Sequence, residues 1–144
     1  MEQLIQQLRV ILGTNFALYF KSHSFHWNIE GSNFPQYHAF LNDFYDSVFD
    51  QTDDIAEHLR QLGSYAPTSL SRMVELSDLE EETIIPGQMN MIGQLLRDNE
   101  RYIHHLRAGI QAADDANEPA VSNFLQDLLG AHQKKNWMLK SILK

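Results

Sequence analysis

Apolar residues recur at helical spacing along almost the whole chain, and this pattern constrains the fold more than any other feature. Near the amino terminus they fall every three or four positions, as on one face of a helix with 3.6 residues per turn. The members of this first stripe are Leu4, Leu8, Ile11, Leu12, Phe16, Tyr19 and Phe20. They predict a helix from about residue 2 into the high twenties. Three later stretches repeat the spacing, and none alternates as a strand would.

Turn-forming residues set the ends of the second predicted helix. Gly31 breaks the first stripe, and Asn33 followed three positions later by Gln36 is typical of a helix start. Pro35 falls in the first turn, where its missing N–H costs nothing. The buried face is predicted to consist of Tyr37, Leu41, Phe44, Val48, Ile55, Leu59 and Leu62. Gly63 is then a natural C-cap.

A long connection follows, and two more helices complete the chain. The connection contains Pro67, Pro86 and the acidic run Glu80–Glu82, and it favours one short helix near Ser69 to Leu76 and a solvated loop at the acidic run. The third helix is predicted to end near Asp114 and Asp115. Asn117 is the expected cap of the fourth, with Pro119 in its first turn. The apolar positions of these helices are Met89, Ile92, Leu96, Tyr102, Ile103, Leu106 and Ile110, then Val121, Phe124, Leu125, Leu128, Leu129, Leu139 and Ile142.

Four long helices joined by a short, a long and a short connection predict an all-α four-helix bundle with a crossover between its second and third members. Among bundle topologies this is the ferritin-like one. The chain has 144 residues, so we expect a single domain spanning residues 1–144.

Composition and charge exclude several classes of function. With 11 Lys and Arg against 19 Asp and Glu, the net charge is −8, which excludes a generally basic nucleic-acid binder. There is no cysteine, so a metal would need His, Asp, Glu, Asn or water as ligands. Neither a membrane span nor a signal peptide is evident from the sequence. We therefore expect a cytoplasmic protein without a membrane partner.

Four residues have the chemistry of a metal site. His26 lies near the end of the first helix and His38 one turn into the second, so the short turn brings them to one end of the bundle. Asp53 and Glu57 are spaced i, i+4 and project from one face of the second helix. His38 and Asp53 are nevertheless 15 residues apart on that helix, which separates them by roughly 22 Å. One chain cannot close this site.

A second copy of the chain can close it. If two second helices pack antiparallel about a two-fold axis, the histidines of one subunit meet the carboxylates of the other, giving two equivalent sites per dimer. Mixed imidazole and carboxylate ligation suits iron, manganese or zinc. The sequence contains no Glu-x-x-His motif. This argues against a di-iron site within one bundle, which needs such pairs from two helices.

Several short motifs also carry a family resemblance. They are His26-Trp27-Asn28-Ile29-Glu30-Gly31, Phe34, His38, Asp53-Asp54-Ile55-Ala56-Glu57, Leu62-Gly63 and Lys135-Asn136-Trp137-Met138-Leu139. Together they resemble the signature of the Dps family of mini-ferritins (DNA-binding proteins from starved cells). The resemblance implies a homododecamer, a hollow shell built on two-fold dimers, with a short helix in the crossover of each subunit. It also implies a ferroxidase that oxidises ferrous iron, preferentially with hydrogen peroxide, stores ferric mineral and protects against oxidative stress.

The resemblance assigns roles to individual residues. His26 and His38 match the family's histidine ligands, and Asp53 and Glu57 match the carboxylates given by the partner subunit, so these four form the expected catalytic and metal site. It would hold one or two iron ions, with zinc able to take their place. Trp27 matches a tryptophan beside the site. The family often has Asp where this chain has Asn42, which puts the second iron position in doubt.

The alternative function is a structural shell that compacts and protects DNA with little ferroxidase activity. The sequence supports it poorly, because no basic residue precedes Arg9 and the chain has no lysine-rich tail. The only basic cluster, Lys134, Lys135, Lys140 and Lys144, alternates with apolar residues as in an amphipathic helix. We expect no direct DNA binding. The other histidines, for which we expect surface or interface positions, are His23, His58, His104, His105 and His132.

Overall fold

Five helices and no strand form the structure, a computed structural model that describes residues 1–144. The helices are α1 (Glu2–Asn28), α2 (Phe34–Gln61), α3 (Leu70–Leu76), α4 (Gln88–Asp115) and α5 (Pro119–Ile142). The chief packing pairs are α1 with α2, α4 with α5, and α1 with α4 and α3. The predicted four long helices and the short helix in the crossover are therefore all present. None of the helices combines the length and the apolar character that a bilayer span requires.

Most residues of the predicted apolar stripes form the core or pack against it, whereas Phe16 and Ile103 are half-buried outside it and two others are exposed. Leu8, Leu41 and Leu125 are completely buried, as their spacing requires. Phe20 and Met89 were assigned to the stripes but are 54% and 41% exposed. The buried face of α1 passes through Leu18, one helical turn after Asn15 and Thr14, and leaves Phe20 on the outer side.

The helix ends follow the sequence signals, with two corrections. Pro35 and Pro119 lie in first turns, and Gly63 ends α2 with a left-handed backbone (φ 87°). Asn33 precedes α2 but its side chain makes no capping bond. The assignment of Asn117 as cap of the fourth helix is wrong. It terminates α4 in the left-handed conformation (φ 57°), donating its N–H to the Asp114 carbonyl at 3.0 Å.

The crossover is held tightly against α1. Ser69 caps α3 by accepting from the Arg72 N–H at 3.1 Å. A Cβ at Gly13 of α1 would lie 2.7 Å from the Cβ of Leu76 and 2.8 Å from the carbonyl oxygen of Met73, so only glycine allows this approach. Lys21 donates to the Glu80 carbonyl at 2.7 Å.

The acidic run is therefore more than a solvated loop. The Glu82 carboxylate accepts from the Gln94 amide at 2.6 Å and lowers its own pKa by doing so. These contacts hold the crossover against α1 and α4.

A layer of polar residues crosses the centre of the bundle. The Tyr102 hydroxyl donates to Asn15 Oδ1 at 2.9 Å, and His132 Nδ1 lies 2.7 Å from Asn99 Oδ1. His132 is only 1% exposed, so the expectation of a surface position is wrong for it. Burial, helped by the charge of Lys135, lowers the pKa of His132 to about 3. The layer contains no carboxylate and so lacks the ligands of an intrabundle di-iron site.

Candidate metal centre

The end of α1 and the beginning of α2 place two histidines against each other. The short turn at residues 29–33 brings the His26 and His38 rings face to face, with centroids 3.7 Å apart. Nδ1 of each ring lies 2.8 Å from the backbone carbonyl oxygen of the other residue. The two imidazoles are therefore locked by a reciprocal pair of hydrogen bonds.

These bonds determine which ring nitrogen is free. A carbonyl oxygen can only accept, so both Nδ1 atoms must carry the proton. In the neutral rings Nε2 then keeps its lone pair. This is the arrangement found in metal-binding histidines, where a hydrogen bond at one nitrogen fixes the other as the ligand.

The carboxylates of the candidate site also lie together, but at the opposite part of α2. Ligand oxygens of Asp53, Asp54 and Glu57 lie within 4.8 Å of one another, and all three residues are exposed. A hydrogen bond and repulsion from Asp53, followed by repulsion from Asp54, raise the pKa of Glu57. A bound cation would relieve this repulsion.

Asp54 belongs to this cluster, although the i, i+4 spacing predicts only Asp53 and Glu57. Its signal was present, because Asp54 and Glu57 are spaced i, i+3 and such residues are neighbours on a helix surface. The cluster therefore offers three carboxylates where two were expected.

The two halves of the candidate site do not meet within one chain. The helix α2 is continuous from Phe34 to Gln61, so the 15 residues between His38 and Asp53 span roughly 22 Å. No carboxylate joins His26 and His38 in a group whose ligand atoms lie within 4.8 Å of one another, and no histidine belongs to the carboxylate cluster. Each half offers too few ligands to enclose an ion.

Exposed aromatic side chains lie beside both halves. Trp27 and Phe20 are 58% and 54% exposed and contact each other on α1, and Phe49 lines a groove on α2 together with Asp53. Large apolar side chains that stay exposed in a row mark a surface that another protein covers. Exposed aromatic side chains thus flank both ligand halves, as on a surface suited to a second subunit.

Asn42 lies next to the histidine half. It is exposed, one helical turn after His38, and its Oδ1 accepts a hydrogen bond from the Tyr45 hydroxyl at 3.1 Å. The Tyr45 ring centroid is in turn 5.1 Å from that of His26. One lone pair of the Asn42 carbonyl is therefore engaged and one remains free for a cation.

Comparison with known proteins matches this architecture. The family model described as a ferritin-like domain covers residues 5–144. The antigen TpF1 of Treponema pallidum is 33% identical over 144 residues, which covers 98% of this chain and 80% of that protein. Its crystal structure superposes with a TM-score of 0.94, covering 98% of this chain and 91% of TpF1. The DNA protection during starvation protein of Brevibacillus brevis is 28% identical over the full length of both chains. The crystal structure of Dps from Staphylococcus aureus, at 24% identity, shows the same fold with a TM-score of 0.96, over 100% of this chain and 97% of that one.

The bundle and its long crossover, together with the family match over residues 5–144, thus define a ferritin-like protein. Within that class, the chain belongs to the Dps family.

Proposed function

We propose that this protein is a ferroxidase and iron store. Two copies would pack with antiparallel α2 helices, so that His26 and His38 of one copy and Asp53 and Glu57 of the other enclose ferrous iron. The observation that carries the proposal is the pair of incomplete halves, one with two free Nε2 lone pairs and one with clustered carboxylates. Six such dimers would form a hollow dodecamer that keeps the ferric product as mineral.

The ligand set favours loss of an electron from iron. Anionic oxygens bind the ferric ion more strongly than the ferrous ion, because the attraction grows with the charge of the cation. The site therefore lowers the reduction potential of the iron it holds. Repulsion of Glu57 by Asp53 and Asp54 also lowers this reduction potential, since the more highly charged ferric ion relieves more of the repulsion than the ferrous ion does.

Hydrogen peroxide is the oxidant that two irons at one site would match. Peroxide takes two electrons, so two ferrous ions and two protons convert one peroxide to two waters and leave two ferric ions. No hydroxyl radical forms when both electrons arrive together. We propose this preference for peroxide as the means by which the protein protects against oxidative stress.

The test is a titration of the metal-free protein with ferrous iron under anaerobic conditions, followed by peroxide. We expect ferric absorbance to rise in stoichiometric step with peroxide and much faster than in buffer. Glu57→Gln should slow this rise strongly, because the amide loses the charge that favours ferric iron. Glu75→Gln is the matched control, since Glu75 is exposed and pairs only with Arg72, an i, i+3 neighbour.

Zinc provides a second arm of the same experiment. It prefers the same nitrogen and oxygen ligands and cannot be oxidised, so it should compete with ferrous iron and suppress the reaction. Oxidation at the buffer rate in the wild type, unaffected by zinc, would contradict the proposal.

A structural shell that compacts DNA is the alternative to the proposed ferroxidase. We propose that the protein does not bind DNA directly, because its net charge is −8. In addition, Lys135 Nζ lies 5.7 Å from the centroid of the Phe44 ring, so this lysine packs against the protein and does not extend into solvent. Retention of duplex DNA in a gel at moderate salt without divalent metal, combined with background oxidation only, would support the shell instead.

A further inference from the structure

An aromatic cluster extends from the histidine half of the site along α1 and α2. We define it as Tyr19, His23, Trp27 and Tyr45. His23 lies at its centre, stacked on Tyr45 with ring centroids 3.7 Å apart and planes 7° apart, and 4.2 Å from Trp27. The ring centroid of Tyr45 lies 5.1 Å from that of the candidate ligand His26. Continuous ring contact therefore joins the ligand half to Tyr19, whose ring is 5.5 Å from that of His23.

One hydrogen bond sets Tyr19 apart from the other aromatic residues. Its hydroxyl lies 2.9 Å from His23 Nδ1 and has no other protein partner. In the neutral tautomer of His23 that carries its proton on Nε2, Nδ1 has a free lone pair and the phenol donates to it.

This pair has the chemistry of a one-electron donor. Removing an electron from a phenol makes it strongly acidic, so oxidation is easy only where a base takes the proton at once. His23 is such a base, already in hydrogen-bond contact. If residue 19 only filled space among the aromatic rings, phenylalanine would pack equally well, because packing does not require the hydroxyl group.

The need for such a donor follows from the electron count of peroxide. A site that holds a single ferrous ion supplies one electron, whereas peroxide needs two to become water. A site with a single ferrous ion is relevant to this chain because Asn42 offers a neutral amide, and no carboxylate, at the second iron position. An electron from the protein would complete the reduction and prevent release of a hydroxyl radical.

We infer that Tyr19 supplies the missing electron to the singly loaded site and passes its proton to His23. The inference rests on the proposed function. In balance, one ferrous ion, one Tyr19 phenol, neutral His23, one peroxide and two protons give one ferric ion, one Tyr19 phenoxyl radical, protonated His23 and two waters. The O–O bond of peroxide breaks and the phenolic O–H proton moves along the hydrogen bond to Nδ1.

Two neighbouring aromatic residues are poorer candidates for this role. The Tyr45 hydroxyl donates to the amide oxygen of Asn42, which is not a base at neutral pH and cannot take the proton. Trp27 is 58% exposed and its indole N–H has no hydrogen-bond partner in the chain. Tyr45→Phe and Trp27→Phe are therefore matched controls for Tyr19→Phe, because each keeps an aromatic ring and removes a different group.

The experiment uses electron paramagnetic resonance on the assembled protein. Protein loaded with one ferrous ion per site is mixed with peroxide and frozen, and the radical is identified by ring-deuterated tyrosine. We expect a tyrosyl signal that Tyr19→Phe largely removes and that Tyr45→Phe and Trp27→Phe leave in place. Hydroxyl radical, measured by spin trapping, should rise in Tyr19→Phe. With two irons per site Tyr19→Phe should form ferric iron as the wild type does, since paired oxidation needs no protein electron.

A second arm tests the pair without iron. Metal-free protein is oxidised by a ruthenium tris-bipyridine photosensitiser with persulfate, and the Tyr19 radical is measured in wild type and His23→Phe. The phenyl ring keeps the stack on Tyr45 but cannot take a proton, so the yield of Tyr19 radical should fall strongly.

The outcomes separate this inference from the proposed function. Ferric iron without a tyrosyl radical, a signal that survives Tyr19→Phe, or a radical yield unchanged by His23→Phe would overturn the role of the pair and leave the ferroxidase intact. Absence of ferric iron in the wild type would instead overturn the proposed function, and the photochemical arm would still report on Tyr19 and His23.

Discussion

Replacing Lys21 with methionine should destabilise the protein far more than removing an exposed ion pair. Lys21 Nζ lies 2.8 Å from Asp98 Oδ2, and the two side chains are only 9% and 12% exposed. Lys21→Met keeps most of the volume but removes the one positive charge in contact with the buried carboxylate, leaving only the more distant influence of Arg97 and Arg101. Breaking a buried pair in this way costs about 3 to 5 kcal/mol. The substitution also removes the bond to the Glu80 carbonyl, which holds the crossover.

The pH dependence of this loss has a definite sign. Burial raises the pKa of Asp98 even with Lys21 beside it, and removing Lys21 raises it further. A group whose folded-state pKa lies above the unfolded value costs nothing where both states are protonated and costs more as the pH rises. Lys21→Met should therefore be least harmful in mildly acidic buffer and most harmful near neutrality.

The double variant Lys21→Met/Asp98→Leu should recover most of the loss. Its free energy of unfolding should fall below that of the parent only by the cost of the lost bond to the Glu80 carbonyl, about 1.5 to 3 kcal/mol for a charged donor, because a buried ion pair and an apolar pair of similar volume are often equivalent. Arg72→Met, which removes an exposed i, i+3 pair with Glu75, should cost no more than about 0.5 kcal/mol.

Urea denaturation at one fixed protein concentration measures all four proteins comparably, because assembly stabilises the folded chain. If the single and double variants lose the same stability, or if the loss in Lys21→Met does not change with pH, the uncompensated Asp98 charge is not its cause.

Three further predictions concern separate parts of the structure. Asn42→Asp restores an anionic ligand one turn from His38, so isothermal calorimetry with zinc should show tighter binding of a second ion; unchanged stoichiometry and affinity would place Asn42 outside the site. Gly13→Ala should lower the melting temperature, because the new Cβ meets backbone atoms of the crossover and overpacking costs about 1 to 3 kcal/mol. Gly130→Ala is the control and should be neutral or stabilising, since nothing lies within 4 Å of its new Cβ. Burial holds the folded-state pKa of His132 at about 3, below the ordinary 6.5, so the unfolded chain takes up the proton first as the pH falls. The free energy of unfolding should therefore fall between pH 6.5 and pH 3, by roughly 5 kcal/mol in all. In the same denaturation assay, His132→Gln should lose less stability on acidification.

The helices were predictable from the sequence because their signals are local. Apolar spacing, the prolines of the first turns and Gly63 each act within a few residues, and the structure has them where they were expected. The signal at Asn117 is ambiguous for the same reason, since asparagine suits both a helix start and a left-handed helix end.

The polar layer could not be predicted in this way. Tyr102 and Asn15 are 87 residues apart, and Asn99 and His132 are 33 apart. Nothing in the local pattern of α1, α4 or α5 indicates which polar residues will face each other across the core. His132 was expected at the surface for this reason.

The candidate site lies between these two cases. The i, i+4 spacing of Asp53 and Glu57 predicted one carboxylate face, and the structure adds Asp54 to it. The position of His26 beside His38 followed from the short turn, but their reciprocal hydrogen bonds did not, because these depend on side-chain rotamers in the folded chain. The bonds are what identify Nε2 as the free ligand atom.

The central claim is that two chains share each iron site, and subunit mixing tests it most directly. His26→Ala chains keep intact carboxylates and Glu57→Ala chains keep intact histidines, so each shell alone should be inactive. In an equal mixture half of the two-fold dimers contain one chain of each kind, and one of the two sites in such a dimer receives both intact halves.

Mixed shells should therefore recover about a quarter of the wild-type sites, measured as ferric absorbance after anaerobic loading and addition of peroxide. Mass-labelled subunits serve as proof that the chains have mixed. No recovery in shells with proven mixing would contradict ligation between subunits, because a site closed within one chain stays broken in both variants.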